Sequence, residues 1–108
     1  MKLLSRIEEI ILLAVRRLGD NAYGVTIRDE VTRVTNQDWQ QGAIYGPLAR
    51  LHRKGYLNTV RGEPTPERGG RSKIFYSLTP FGLEALREAQ RINEVVWVDV
   101  PPLEFEAS

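Results

Sequence analysis

The sequence predicts a mainly helical α+β domain: three helices, two strands joined by a long tip, and one further helix. Three observations lead there. Apolar residues recur at three- and four-residue spacing through residues 5–54, marking one face of each helix. Two extended runs, Tyr56 to Arg61 and Lys73 to Leu78, flank a Pro- and Gly-rich stretch. Thr79-Pro80 then pairs a capping hydroxyl with proline at a first helical position.

The first helix opens on a capping box, Ser5-Arg6-Ile7-Glu8, in which the hydroxyl serves free amides and Glu8 reaches back. Ile7, Ile10, Ile11, Ala14, Val15 and Leu18 form its apolar stripe, and Gly19 closes it. Leu12 and Leu13 widen that stripe until the helix is apolar nearly all round. A small monomer has no use for such a surface, so a second body is expected over it.

Asp20-Asn21 make a turn, and Tyr23-Gly24 lead into a helix over about residues 25–34. Ile27, Val31 and Val34 face inward there, with Arg28 and Arg33 outward. Its β-branched residues make it dependent on packing. Thr35 to Asp38 is a polar connector; Asp38 or Gln40 can cap the next helix, and Trp39 acts as its apolar staple.

The third helix occupies Gln40 to Lys54. Ile44, Leu48 and Leu51 form its buried face; the other face is small at its start (Ala43, Gly46) and basic at its end (Arg50, Arg53, Lys54). Gly55 stops it. Pro47 predicts a kink or a loose first turn. In the second extended run Ile74, Tyr76 and Leu78 alternate with Lys73, Phe75 and Ser77, and residues 62–71 are too long and too rich in Pro and Gly for a tight hairpin. The last helix is expected from Pro80 to about Val96, with Leu83, Leu86, Ala89 and Ile92 on one face, until Pro101-Pro102 stop regular structure.

A length of 108 residues fits one domain with a modest core. The absence of cysteine rules out disulfides and thiolate metal sites, and His52, the only histidine, rules out multi-histidine sites. No metal and no cofactor are expected. With no long apolar run and no secretory segment, a cytoplasmic protein without membrane contact is expected. The net charge of +1 hides an asymmetry: residues 1–79 hold 13 Lys/Arg against 8 Asp/Glu, residues 80–108 hold 2 against 6. The basic part is the candidate nucleic-acid surface, and the acidic part has another task.

Helix, helix, basic helix, two-stranded wing and further helix is the winged helix-turn-helix order. The division expected is a DNA-binding unit over residues 1–79, then a dimerisation helix and short tail over residues 80–108. An enzyme is not expected: no nucleophile has a base, and Gly69-Gly70 lacks the strand-loop-helix setting of a phosphate cradle. The rival reading is a winged helix used for protein–protein contact, since a fold does not fix a function.

The run GAIYGPLARLHRKGYL, followed by RGEPTPERGGRSKIFYSLTPFGLEAL, resembles the PadR-like transcriptional regulators. The shared features are the Tyr-bearing helix start, the Arg-Leu-x-x-x-Gly helix end, the Gly-Gly-Arg wing and the Tyr-x-Leu-Thr-x-x-Gly junction. Ile10-Ile11-Leu12 and Tyr23-Gly24 extend the likeness to roughly residues 5–90. It implies a DNA-binding repressor that is a homodimer on inverted-repeat operators, with the last helix packed on the partner's first. Some relatives bind flat aromatic compounds between the subunits, and Trp97 would be placed for a small aromatic effector of that kind. Many members have Pro directly after the Tyr, where this chain has Gly46 and then Pro47; the short C-terminal segment resembles the compact subgroup with one final helix.

The DNA-contact candidates are therefore Gln41, Ala43, Tyr45, Gly46, Arg50 and Lys54 on the third helix, with Arg68, Arg71 and Lys73 on the wing. Only Gln41 of the residues nearest the bases can make a bidentate contact, most naturally to adenine. Arg53 ranks lower, because helical spacing sets it to one side. His52 reads as a packing or surface residue. The dimer-contact candidates are Leu12, Leu13, Leu86, Ile92, Val96 and Trp97.

Overall fold

A computed structural model describes residues 3–63 and 72–104. Its elements are α1 (Arg6–Leu18), a 3-10 turn (Gly19–Asn21), α2 (Gly24–Thr35), α3 (Gln41–Arg53), β1 (Leu57–Arg61), β2 (Ile74–Leu78) and α4 (Pro80–Trp97). The winged helix-turn-helix order expected from the sequence is the one observed. Arg68 and Arg71 lie outside the described residues.

The capping box of α1 is formed: the Glu8 amide donates to Ser5 Oγ at 3.2 Å, and the Ser5 amide donates to Glu8 Oε1 at 2.9 Å. Ile11, Leu12, Ala14 and Val15 are buried. Leu12 corrects the sequence reading. It is fully buried within its own chain's core, so it is no part of an uncovered face. In a stretch that is apolar all round, spacing cannot set the phase; of the two leucines only Leu13, 40% exposed, offers surface.

Ile27 and Val31 of α2 enter the core, whereas Val34, expected inside, is exposed. Arg33 points outward but is not free. It shares the buried Glu30 carboxylate with Arg17, at 2.6 and 2.9 Å. Hydrogen bonds from Arg33 and then Arg17 outweigh burial and lower the Glu30 carboxyl to about 2.

Arg28 was expected outward and is instead tied to the helix-turn-helix connector. Its Nε donates to the Trp39 carbonyl at 2.6 Å and a terminal nitrogen donates to Asp38 at 2.7 Å. Trp39 is half-buried against the core, and its Nε1 donates to Thr35 Oγ1 at 2.9 Å. These bonds set where α3 begins, so neither Asp38 nor a Gln40 side chain needs to cap it, and none does.

α3 starts six residues before Pro47 and continues through it, so the proline is not in a loose first turn. Gly46 makes this tolerable: part of the clash that pushes a residue before proline out of the helical region comes from a Cβ, and Gly46 has none. Ile44, Leu48 and Leu51 are fully buried.

β1 and β2 pair antiparallel from Leu57 opposite Leu78 to Arg61 opposite Ile74. A short third piece joins them that the sequence did not reveal: Tyr23 bridges to Phe75, and Ala22 accepts from the Tyr76 amide at 2.8 Å. Phe75 consequently meets the Tyr23 ring edge-on, with centroids 5.5 Å apart.

α4 has two dissimilar ends. At its root the Thr79 hydroxyl accepts from the Gly82 amide at 2.9 Å and donates to the Gly55 carbonyl at 2.6 Å. A Cβ on Gly82 would collide with the Tyr56 carbonyl oxygen, so only glycine fits that approach. About three-quarters of the way along, Asn93 donates to Glu9 of α1 at 2.8 Å. Beyond it Val95, Val96, Trp97 and Val98 are each at least 60% exposed.

Candidate nucleic-acid interface

The core positions of α3 fix which residues face away from the protein. At about 100° per residue, Gly42, Gly46, Ala49 and Arg53 lie opposite Ile44, Leu48 and Leu51. All four are exposed. Apart from the helix's own backbone, a Cβ added at Gly42 or Gly46 would meet no atom of the described residues within 4 Å. Their smallness is therefore not required by the protein's own packing, although glycine weakens a helix. Arg53, set aside on the sequence, is central on this face and makes no ion pair among the described residues. Its phase against Ile44, Leu48 and Leu51 was the signal that could have found it. Arg61, exposed at the wing's root, was also passed over.

The other candidates form two groups on either side of α3. On one side Tyr45 and Lys73 line a cleft of about 300 Å³ together with Tyr23, Gly24 and Tyr76. Lys73 Nζ stands 4.4 Å from the centroid of the Tyr23 ring. A Cβ on Gly24 would come within 2.7 Å of the Tyr45 hydroxyl, so that glycine makes room for the tyrosine. Burial pushes the Tyr76 hydroxyl's pKa up, and the neighbouring Tyr45 adds to the effect. Tyr45 is itself 49% exposed at the edge of this cleft.

On the other side Arg50 and Lys54 turn toward α1. Lys54 Nζ donates to Glu8 Oε2 at 2.8 Å, and Arg50 Nε lies 4.0 Å from the same oxygen. Burial pushes the Glu8 carboxyl up, but Lys54 with the Ser5 amide and hydroxyl outweighs it and holds the group below its usual range. Ala43 is exposed, while the Gln41 side-chain amide nitrogen is buried without a hydrogen-bond partner. In this conformation that nitrogen is not presented to solvent. His52 is exposed, in keeping with a surface role.

Among the described residues no cluster of His, Asp or Glu could hold a metal, and no helix is long and apolar enough to cross a membrane. The helices and the two-stranded wing form a winged helix whose α3 carries an open small face with an exposed arginine on it. The family described as the transcriptional regulator PadR-like family matches residues 11–88, and the chain belongs to it.

Solved structures agree. A transcriptional regulator from Clostridium thermocellum is 25% identical over 84% of this chain and 85% of that one, with a TM-score of 0.67. A PadR-like regulator from Bacillus cereus (21% identity, 83% and 82% coverage, TM-score 0.68) has the same fold. So does a PadR-family regulator from Clostridium difficile (21% identity, 86% and 95% coverage, TM-score 0.65). No curated protein matches the sequence.

Proposed function

We propose that the chain is a sequence-specific repressor that binds inverted-repeat operators as a homodimer, with residues 1–79 as the DNA-binding unit and residues 80–108 supplying the dimer contact. The observation that carries this reading is the empty space over Gly42 and Gly46. Two helical glycines that none of the described residues crowds suit a face that a base-pair edge must approach closely. Arg53 and Arg50 at the end of the same helix suit phosphates, as do Lys73 and the wing arginines Arg68 and Arg71. With few base-reading groups, DNA shape supplies much of the specificity.

The dimer reading rests on apolar surface without a partner in one chain. Leu13, Val96 and Trp97 are exposed, and α1 and α4 leave a groove of about 560 Å³ lined by Leu13, Leu83, Leu86 and Asn93, with Arg16 and Arg87 at its edge. Leu86 also packs on the core, and Ile92 lines a neighbouring groove with Leu3 and Leu4. The larger groove is where a small aromatic effector would lie between subunits. A cytoplasmic location accompanies this function.

The test starts with sites selected from randomised DNA. Two-fold sites with half-sites about 10 or 20 base pairs apart are expected, with affinity falling steeply as salt rises. Inserting five base pairs between half-sites turns one by about half a turn and should abolish paired binding. Undiminished affinity after that insertion refutes the paired-groove arrangement, and duplex binding insensitive to salt refutes the DNA reading in favour of a protein partner.

A further inference from the structure

Of the basic residues at the end of α3, Lys54 is the one that the chain itself has engaged. Its partner Glu8 is only 5% exposed, and both carboxylate oxygens are occupied. Oε1 accepts from the Ser5 amide at 2.9 Å, and Oε2 accepts from Lys54 Nζ at 2.8 Å. Moving Lys54 to a phosphate would strand a buried carboxylate, which costs more than one solvent-exposed contact returns. Lys54 also lies about 90° around the helix from the outward face, where Arg53 is central. The residue after it, Gly55, turns the chain at φ 82° into β1 and holds the root of α4 through its carbonyl. The Glu8–Lys54 pair thus joins α1 to the end of α3, where the chain leaves the recognition helix.

We propose that Glu8 and Lys54 are positioning residues for DNA recognition: the pair sets how α3 sits on α1, and Lys54 is not a phosphate ligand. This rests on the DNA-binding reading and adds a role for two residues that need not touch DNA. Arg50, 4.0 Å from the same carboxylate through Nε only, keeps its terminal nitrogens for phosphate.

The experiment measures affinity for a duplex selected by the wild-type protein and for a random duplex, each over a range of salt. Glu8→Gln is the informative variant, because Gln retains the capping box while removing the charge. Glu8→Gln and Lys54→Gln should each lower the ratio of selected to random affinity about tenfold and leave the salt slope unchanged. Lys54→Arg, which keeps the ion pair, should retain the ratio. Arg53→Gln, the contrasting phosphate ligand, should lower the slope by about one. The proposal is overturned if Lys54→Gln lowers the slope by one, or if Glu8→Gln tightens random binding and steepens the slope. An unchanged ratio in both variants overturns it equally. If Lys54→Gln does not fold, Glu8→Gln decides. A wild-type protein whose duplex binding ignores salt overturns the DNA reading itself, and this proposal with it.

Discussion

The two ends of α4 belong to one continuous helix and obey different rules. The root is crowded: Gly82 lies against the Tyr56 carbonyl, Ala85 is buried, and Thr79 bonds both to the helix start and to Gly55. The tip is bare, with Val95, Val96, Trp97 and Val98 in solvent. Aliphatic and aromatic side chains at the tip have no internal use, so their presence speaks for a surface completed by another molecule. The lesson is that a hydrophobic pattern states what must be buried, and burial within one chain satisfies only part of it.

The strongest way to break this comparison is at the root. Gly82→Ala should destabilise the protein by about 3 kcal/mol, since the added methyl meets backbone that cannot turn aside. A denaturant midpoint equal to wild type would mean that the root is not seated as described.

At the tip the opposite is expected. Trp97→Lys should leave the far-UV spectrum of the monomer unchanged. It should weaken self-association by about 2 kcal/mol, roughly a thirtyfold rise in the dissociation constant by sedimentation. Loss of helical structure in that variant, or intact dimers, would count against an intermolecular role.

Acid probes the seam between α1 and α2. Glu30 has its carboxyl lowered from an ordinary 4.5 to about 2 by Arg33 and Arg17. Because the folded value is the lower one, its stabilisation is complete above about pH 4.5 and is lost as pH falls toward 2. Glu30→Gln should flatten the unfolding free energy across that window. A slope identical to wild type there would remove Glu30 from the account.

Smaller again is Thr79→Ala, which removes a helix cap at the root and should cost about 1 kcal/mol in thermal denaturation. Smallest in stability is Gly42→Ala on α3. Nothing crowds the new methyl, so the melting temperature should hold or rise slightly, while affinity for a selected operator falls. Undiminished operator binding would show that this face is not approached closely.

Much of the fold was legible because its signals are local. Ser5 with Glu8, and Thr79 with Pro80, announced helix starts that the structure forms. The spacing of Ile44, Leu48 and Leu51 announced the buried face of α3. What stayed hidden depends on residues far apart in the chain. Lys54 meets Glu8 across 46 positions, a pairing that no local spacing announces. Ala22 and Tyr23 join β2 through backbone bonds that leave no side-chain pattern. Leu12 and Leu13 were indistinguishable because both neighbours of the stripe are apolar, and only packing chose Leu12 for the core. The direction taken by the Gln41 amide follows from tertiary surroundings, not from its place on the helix.

The bonds of Thr79 to Gly55 and Tyr56 have a mechanical consequence. They fasten the root of α4 to the turn that ends α3, and the Asn93–Glu9 bond ties the same helix to α1 farther on, so α4 moves together with α1 and α3. Its 18 residues span about 27 Å, so a tilt of about 10° of the whole domain about that root carries the helix tip about 5 Å. In the proposed assembly each α4 packs on the partner's first helix. On that proposal, whatever seats the two α4 helices would set the separation of the two α3 helices, and a wedge of a few ångströms at that seam would be enough to put them out of step with successive grooves.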